Sequence, residues 1–227
     1  LDNAKRKTDK EYHSFNDFFS RHIELPTNRD STDKNIIYSP AEGSISEIGK
    51  IQDGQLLQAK GQTYSLNDLT KVDSKAFLNG SFITIYLSPS NYHRVHLPVS
   101  AQLQKTISIP GSLYSVNNKT AQSIKDLFCK NERLVCQFST PQGPVLVILV
   151  GALIVASIET NWEGPLSPYK DQQTNNYDLD ILSCEEIGRF LLGSTVICCF
   201  PPNHFILNEH LKIGTELKAC SPIGSIS

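Results

Sequence analysis

The 227-residue sequence holds no methionine and a single tryptophan, Trp162. It also lacks a hydrophobic run of membrane-spanning length. The longest, Val145 to Ala156 (VLVILVGALIVA), is twelve residues, against roughly 20 for a spanning helix, so it reads as core. Neither sign of charge dominates: 21 Lys and Arg face 23 Asp and Glu, the net charge is -2 and the pI is about 6.3. That balance argues against nucleic-acid binding through counterion release. Glycine (13) and proline (12) are too sparse for a collagen-like or low-complexity chain. The six cysteines contain no CxxC pair and fit neither a zinc site nor a disulfide framework, so they read as reduced, mostly buried thiols in a reducing compartment. The opening LDNAKRKTDK is polar and is no secretory signal. With no initiator Met, the first residue reads as a processing boundary, which leaves room for a targeting or membrane-binding segment upstream.

What is present is ordinary for a packed chain: 39% hydrophobic and 19% charged residues, at a length for one large domain or two small ones. Residues 1–14 read as a polar tail whose basic cluster, Lys5 to Lys10, is solvated. Phe15, Phe18 and Phe19 have the spacing of a short amphipathic helix. From Ile36 the pattern is that of strands: Ile36 to Tyr38, Ser44 to Ile51, Gln55 to Ala59, Phe82 to Leu87, Val95 to Pro98 and Leu103 to Ile109. Ser115 to Cys129 is the best helix, with Ala121, Ile124, Leu127 and Phe128 on its apolar side. Arg133 to Phe138 and Val145 to Ile158 flank a Pro-Gln-Gly turn and predict a hairpin with a long second strand, in which Gly151 marks a bulge or close approach. Asn161 to Asp180 reads as a long polar loop, and Phe190 to Phe200 as a strand pair followed by a short tail. The fold expected is mainly β (α+β): one sandwich- or barrel-like domain with a few short helices. The domain division is an N-terminal segment, 1–34, and a body, 35–227.

Four places carry chemistry-bearing side chains. Gly193-Ser194-Thr195 near the C-terminus is, alone, a common turn. In Tyr92-His93-Arg94-Val95-His96, two imidazoles three apart share a face only on a helix. Pro89 and Pro98 bracket this segment, so it reads as extended, the imidazoles point apart and a metal chelate is disfavoured. Glu42, between Ala41 and Gly43 at a strand start, is alone a solvated turn acid. Trp162 reads as a core or loop anchor. Taken in order, a carboxylate, a histidine and a serine at a Gly-Ser junction supply an orienter, a base and a nucleophile. These residue types alone do not say what the serine attacks.

The stretches SPAEGSISEIGKI, QLLQAKGQTYSL, TIYLSPSNYHRVHLPV, IPGSLYSVN, NERLVCQF, ILVGALIVASIET and EEIGRFLLGSTVI occur in this order. Together they resemble the phosphatidylserine decarboxylase family over roughly Phe15 to Phe200. YHRVH with a late GRF-x-LGST is the specific part. The resemblance implies an inactive precursor that cuts itself between Gly193 and Ser194, turning Ser194 into an N-terminal pyruvoyl group. His96 would be the base for that cut, oriented by Glu42. The pyruvoyl ketone would form a Schiff base with the serine amine of phosphatidylserine and release CO2, leaving phosphatidylethanolamine. His93 would serve that second reaction, in proton transfer or on the substrate phosphate. No metal is implied. The family usually carries Asp in an Ala-Asp-Gly turn where this chain has Glu42. The longer side chain must still bring its oxygen within about 2.6–3.2 Å of its partner.

The same resemblance implies peripheral attachment to the cytoplasmic face of a bacterial inner membrane, or to an organellar membrane. The basic tail, the Phe15 to Phe19 cluster and the Asn161 to Asp180 segment are the candidate contacts. Exposed strand edges favour a homodimer. Two rivals stand beside this reading: an impaired relative acting as a β-rich lipid- or protein-binding module, and a pyruvoyl decarboxylase of a soluble amino acid.

Overall fold

A computed structural model describes residues 4–26, 35–152, 158–165, 168–191 and 194–227. In chain order these form α1 (Phe15–Phe19), β1 (Ile36–Tyr38), β2 (Gly43–Lys50), β3 (Gln55–Ala59), β4 (Gln62–Ser65), α2 (Leu66–Thr70), β5 (Ser81–Leu87), β6 (Arg94–His96) and β7 (Ala101–Ile109). Then come α3 (Asn118–Ser123), α4 (Leu127–Lys130), β8 (Arg133–Thr140), β9 (Gly143–Gly151), β10 (Ile158–Thr160), β11 (Gly164–Pro165), β12 (Gln173–Ile181), β13 (Glu186–Phe190), β14 (Ser194–Phe200), β15 (Phe205–Leu207), β16 (Glu216–Leu217) and β17 (Pro222–Ile226). The mainly β fold with a few short helices is met.

An eight-stranded antiparallel sheet, ordered β12-β7-β8-β9-β14-β5-β2-β16, is the spine. Its central strands are apolar at nearly every position because both faces are covered. The period-2 alternation then decides which side chain enters which core. Val147, Leu149, Val196, Cys198, Ile85 and Leu87 face one core, closed by the four-stranded sheet β11-β10-β13-β6 and the three-stranded sheet β1-β17-β15. Ile148, Val150, Ile197, Cys199 and Phe82 face the other, under the β3–β4 hairpin and α2 to α4. Each such side chain, fully buried, contributes about 2 kcal/mol of transfer free energy.

Several elements differ from the sequence pattern, each for a tertiary reason. The helix expected over Ser115 to Cys129 is broken: Ile124 is extended and Asp126 left-handed at φ 56°. The buried side chain of Gln58 fixes the break. It donates to the carbonyls of Ala121 and Ile124 at 2.8 and 2.7 Å and accepts from the Leu127 N–H at 2.8 Å. The second strand of the hairpin ends at Gly151, and Ile158 opens β10 in a different sheet; residues 153–157 of the expected strand lie outside the described residues. The polar stretch read as a loop contains β12, an edge strand that among the described residues pairs with β7 alone and is mostly exposed, so its composition carries no apolar signal. β13 and β14 are not a pair but belong to separate sheets. The C-terminal tail supplies β15 to β17. Residues 4–14 are mostly exposed, as a solvated tail would be, but are tied down at points: Ala4 is buried and bridged to Ile23, and Arg6 pairs with Asp17 of α1 and covers the Tyr12 ring. Five of the six cysteines are buried, as the composition suggested.

Candidate active site

Sheet register carries the predicted residues toward one end of the spine. Ser194 is the first residue of β14, opposite Leu87 on β5 and Gly151 on β9. Thr195, Tyr86 and Ser44 form the next row across β14, β5 and β2. Gly43 therefore stands beside Leu87, with Glu42 just beyond it. Two strand spacings, about 10 Å, separate the backbones of β2 and β14. The approach is close because residue 43 has no side chain: a Cβ there would lie 2.3 Å from the Tyr86 carbonyl oxygen. β6 runs along the turn before Glu42, with the His96 N–H donating to the Pro40 carbonyl at 2.8 Å. The His93 carbonyl accepts from the Phe190 N–H at 2.9 Å, at the end of β13 and four residues before Ser194. The structure thus gathers Glu42, His93, His96 and Ser194 at this end; Gly193 lies outside the described residues.

Ser194 shares a strand face with Val196 and Cys198, so its side chain is aimed at the side covered by β6 and β13. It is fully buried, and its Oγ has no hydrogen-bond partner among the described residues. A buried orphan hydroxyl costs about 1–3 kcal/mol, and Thr195 Oγ1 and His93 Nε2 are likewise buried without a partner among the described residues.

The two imidazoles have different partners, as their extended spacing requires. His96 Nδ1 lies 2.9 Å from the Cys184 carbonyl, which can only accept, so Nδ1 carries the proton. Nε2 is then the basic nitrogen and takes the Tyr92 hydroxyl at 3.0 Å. Burial pushes that phenol well above its ordinary range, so it stays a donor. Glu42 Oε1 accepts from the Tyr92 backbone N–H at 3.2 Å. The carboxylate is thereby connected to the imidazole through Tyr92.

His93 Nδ1 donates to the Asn91 carbonyl at 2.9 Å, leaving the Nε2 lone pair buried and without a partner among the described residues. Its ring lies 3.8 Å, centroid to centroid, from Phe19 of α1. Burial holds its pKa down to about 4, the Asn91 hydrogen bond partly opposes this, and the nearby Arg21 charge adds to the depression. His93 is therefore neutral at pH 7, a proton acceptor in a dry site. Among the described residues no group of three or more His, Cys, Asp or Glu is arranged to hold a metal. Sequence reasoning missed the contacts made by Tyr92, Cys184, Phe19 and Arg21. Tyr92 stood inside the motif, but the Cys184 carbonyl carries no residue-type signal.

Fold and site define a mainly β protein with a buried serine, two buried histidines and a carboxylate toward one end of its spine. The sequence model described as phosphatidylserine decarboxylase matches residues 15–225. A protein named phosphatidylserine decarboxylase proenzyme from Aliivibrio salmonicida is 42% identical over 238 residues, covering 100% of this chain and 83% of its own. One of that name from Francisella philomiragia is 49% identical over 229 residues, covering 96% and 81%, and one from Psychrobacter cryohalolentis 49% over 205 residues, covering 88% and 73%. The chain belongs to the phosphatidylserine decarboxylase family.

Proposed function

We propose that the chain is the precursor of a phosphatidylserine decarboxylase that cuts itself between Gly193 and Ser194. The carrying observation is the Ser194 hydroxyl, buried and unpartnered at the end of the spine where Glu42, His93 and His96 gather. In this reading His96 Nε2 receives the Ser194 proton as Oγ attacks the Gly193 carbonyl and the amide becomes an ester. The Cys184 carbonyl keeps the imidazole in the tautomer that this requires. Glu42 acts on the imidazole through Tyr92, whose backbone it anchors and whose hydroxyl must move off Nε2 for the proton to arrive. Loss of the Ser194 α-proton with elimination of Oγ then frees the Gly193 carboxylate, and hydrolysis of the resulting enamine releases ammonia.

The cut leaves residue 194 as a pyruvoyl group. A buried position with no donor bound to Oγ and a neutral imidazole nearby fits it. There the keto group supplies a sink for the electron pair left when CO2 departs. His93 is assigned to proton transfer. Its Nε2 presents only a lone pair, which suits taking a proton and repels a phosphate oxygen.

No helix among the described residues is long and apolar enough to cross a membrane. Phe15, 62% exposed on α1, supports peripheral contact with lipid; we place this on the cytoplasmic face of a bacterial inner membrane. The exposed edge of β12 supports a homodimer.

Intact mass spectrometry tests the central step. The unaltered chain yields a 34-residue C-terminal fragment with a blocked, carbonyl-bearing N-terminus, whereas Ser194→Ala stays at 25.2 kDa. A Ser194→Ala chain that still splits at residue 193 removes the mechanism. One uncut species without carbonyl reactivity favours a non-catalytic binding module.

A further inference from the structure

Among the described residues the arginines are neutralised or caged, with one exception. Arg6 pairs with Asp17, Arg94 forks onto both Glu186 oxygens at 2.8 and 2.9 Å, and Arg189 pairs with Glu159 through Nε at 2.9 Å. Arg133 has no acid but donates to four backbone carbonyls at 2.6–2.9 Å. Arg21 is buried too, at 8% exposure, yet meets no carboxylate among the described residues. One N–H reaches the Ser90 carbonyl at 3.1 Å, another lies 3.5 Å from the Phe18 carbonyl, and Nε is buried without a partner. A buried cation lacking a counter-charge is costly. Its guanidinium otherwise only overlies the Phe18 ring, 5.1 Å from the centroid, which leaves the charge open to an anion.

Its location says which anion. Arg21 is tied to Ser90, in the loop whose Asn91 carbonyl holds His93, and its charge is felt at His93. An anionic substrate group near His93 needs a donor, and His93 Nε2 has none to give. Phosphatidylserine carries two candidate anions. A cation on the carboxylate would stabilise the group that must leave as CO2 and so oppose the reaction. The phosphodiester keeps its charge from substrate to product, and its two free oxygens match a guanidinium fork.

We propose that Arg21 is a substrate-binding residue that takes the phosphodiester of the lipid headgroup, selecting phosphate-linked serine over serine lacking it. This rests on the decarboxylase reading above. Because the phosphodiester interaction is the same in ground and transition state, it acts on KM rather than kcat.

The self-cleaved full chain and its Arg21→Gln variant are compared on dihexanoyl-phosphatidylserine and on O-hexyl-serine, which has no phosphodiester. Arg21→Gln raises KM for the phospholipid at least about tenfold, whereas O-hexyl-serine, which feels only the lost charge beside His93, changes far less. Inorganic phosphate competes in the unaltered enzyme and not in the variant. An unchanged KM, or equal losses on both substrates, overturns the assignment and leaves Arg21 a structural tie. Should Arg21→Gln fail to mature, Arg21→Lys keeps the charge without the fork. It gives an intermediate KM rise with phosphate inhibition retained, and an unchanged KM overturns the fork. A calorimetric titration of the uncut Ser194→Ala precursor with glycerophosphoserine separates the two readings. Weaker binding in the Ser194→Ala, Arg21→Gln double variant supports Arg21 even in a protein that never decarboxylates, and equal binding overturns it.

Discussion

Protonating His93 should destabilise this protein gradually as pH falls, by an amount that follows from its surroundings. The ring is buried, tilted against Phe19 and close to the Arg21 charge, so its folded pKa is about 4 against an ordinary 6.5. The folded state binds fewer protons than the unfolded chain between those values, so stability rises with pH there. The contribution is fully present above pH 6.5 and is lost as pH falls toward 4. Linkage puts the loss at about 2 kcal/mol by pH 5 and about 3 kcal/mol at the acid limit. The assay is urea unfolding of the single-chain Ser194→Ala precursor from pH 7.5 to 5, with and without His93→Gln. Gln keeps a polar side chain of similar reach but does not titrate. His22, whose pKa burial also lowers, contributes in the same direction in both proteins and cancels in the comparison. The expected result is a curve about 2 kcal/mol flatter for His93→Gln. Parallel curves would refute a buried neutral His93, and with it the proton-acceptor role.

The remaining predictions concern the supports of Ser194. Glu42→Ala leaves the Tyr92 N–H without its acceptor and slows self-cleavage about tenfold or more, followed as the appearance of the 34-residue fragment; cleavage at the unaltered rate would remove Glu42 from the mechanism. Tyr92→Phe removes the hydroxyl bound to His96 Nε2, costing about 1 kcal/mol in urea unfolding, while its self-cleavage continues because that hydroxyl no longer has to move off Nε2. Gly43→Ala forces a Cβ to within 2.3 Å of the Tyr86 carbonyl, so β2 must move off β5, with a loss of about 2 kcal/mol and slower maturation; a neutral effect on both would deny the close approach.

Much of the β pattern was legible residue by residue. β1 and β3 end where the apolar runs end, and β5 and β9 are read from runs that only a doubly covered strand tolerates. The pattern failed where local preference was overruled. Gln58, more than sixty residues away in sequence, breaks the helix after Ala121. β12 is polar because water covers it, and backbone pairing to β7 alone makes it a strand. For the site, extended structure between Pro89 and Pro98 was enough to separate the roles of His93 and His96. The contact of Glu42 was not readable, because a carboxylate one methylene longer reaches whichever donor the turn presents, here the Tyr92 N–H.

The order and spacing of SPAEG, YHRVH and LGST, and the periodicity of the strands, are properties of the chain itself. They set the family, the mainly β architecture and the identities of the serine, histidines and carboxylate. Only the folded arrangement decides that Cys184 sets the tautomer of His96, that burial beside Phe19 and the Arg21 charge keep His93 neutral, and that Arg21 is buried with no acid among the described residues. Those are matters of burial and of backbone groups distant in sequence. Every residue carries the same carbonyl and N–H, so their use is invisible until packing chooses which ones meet.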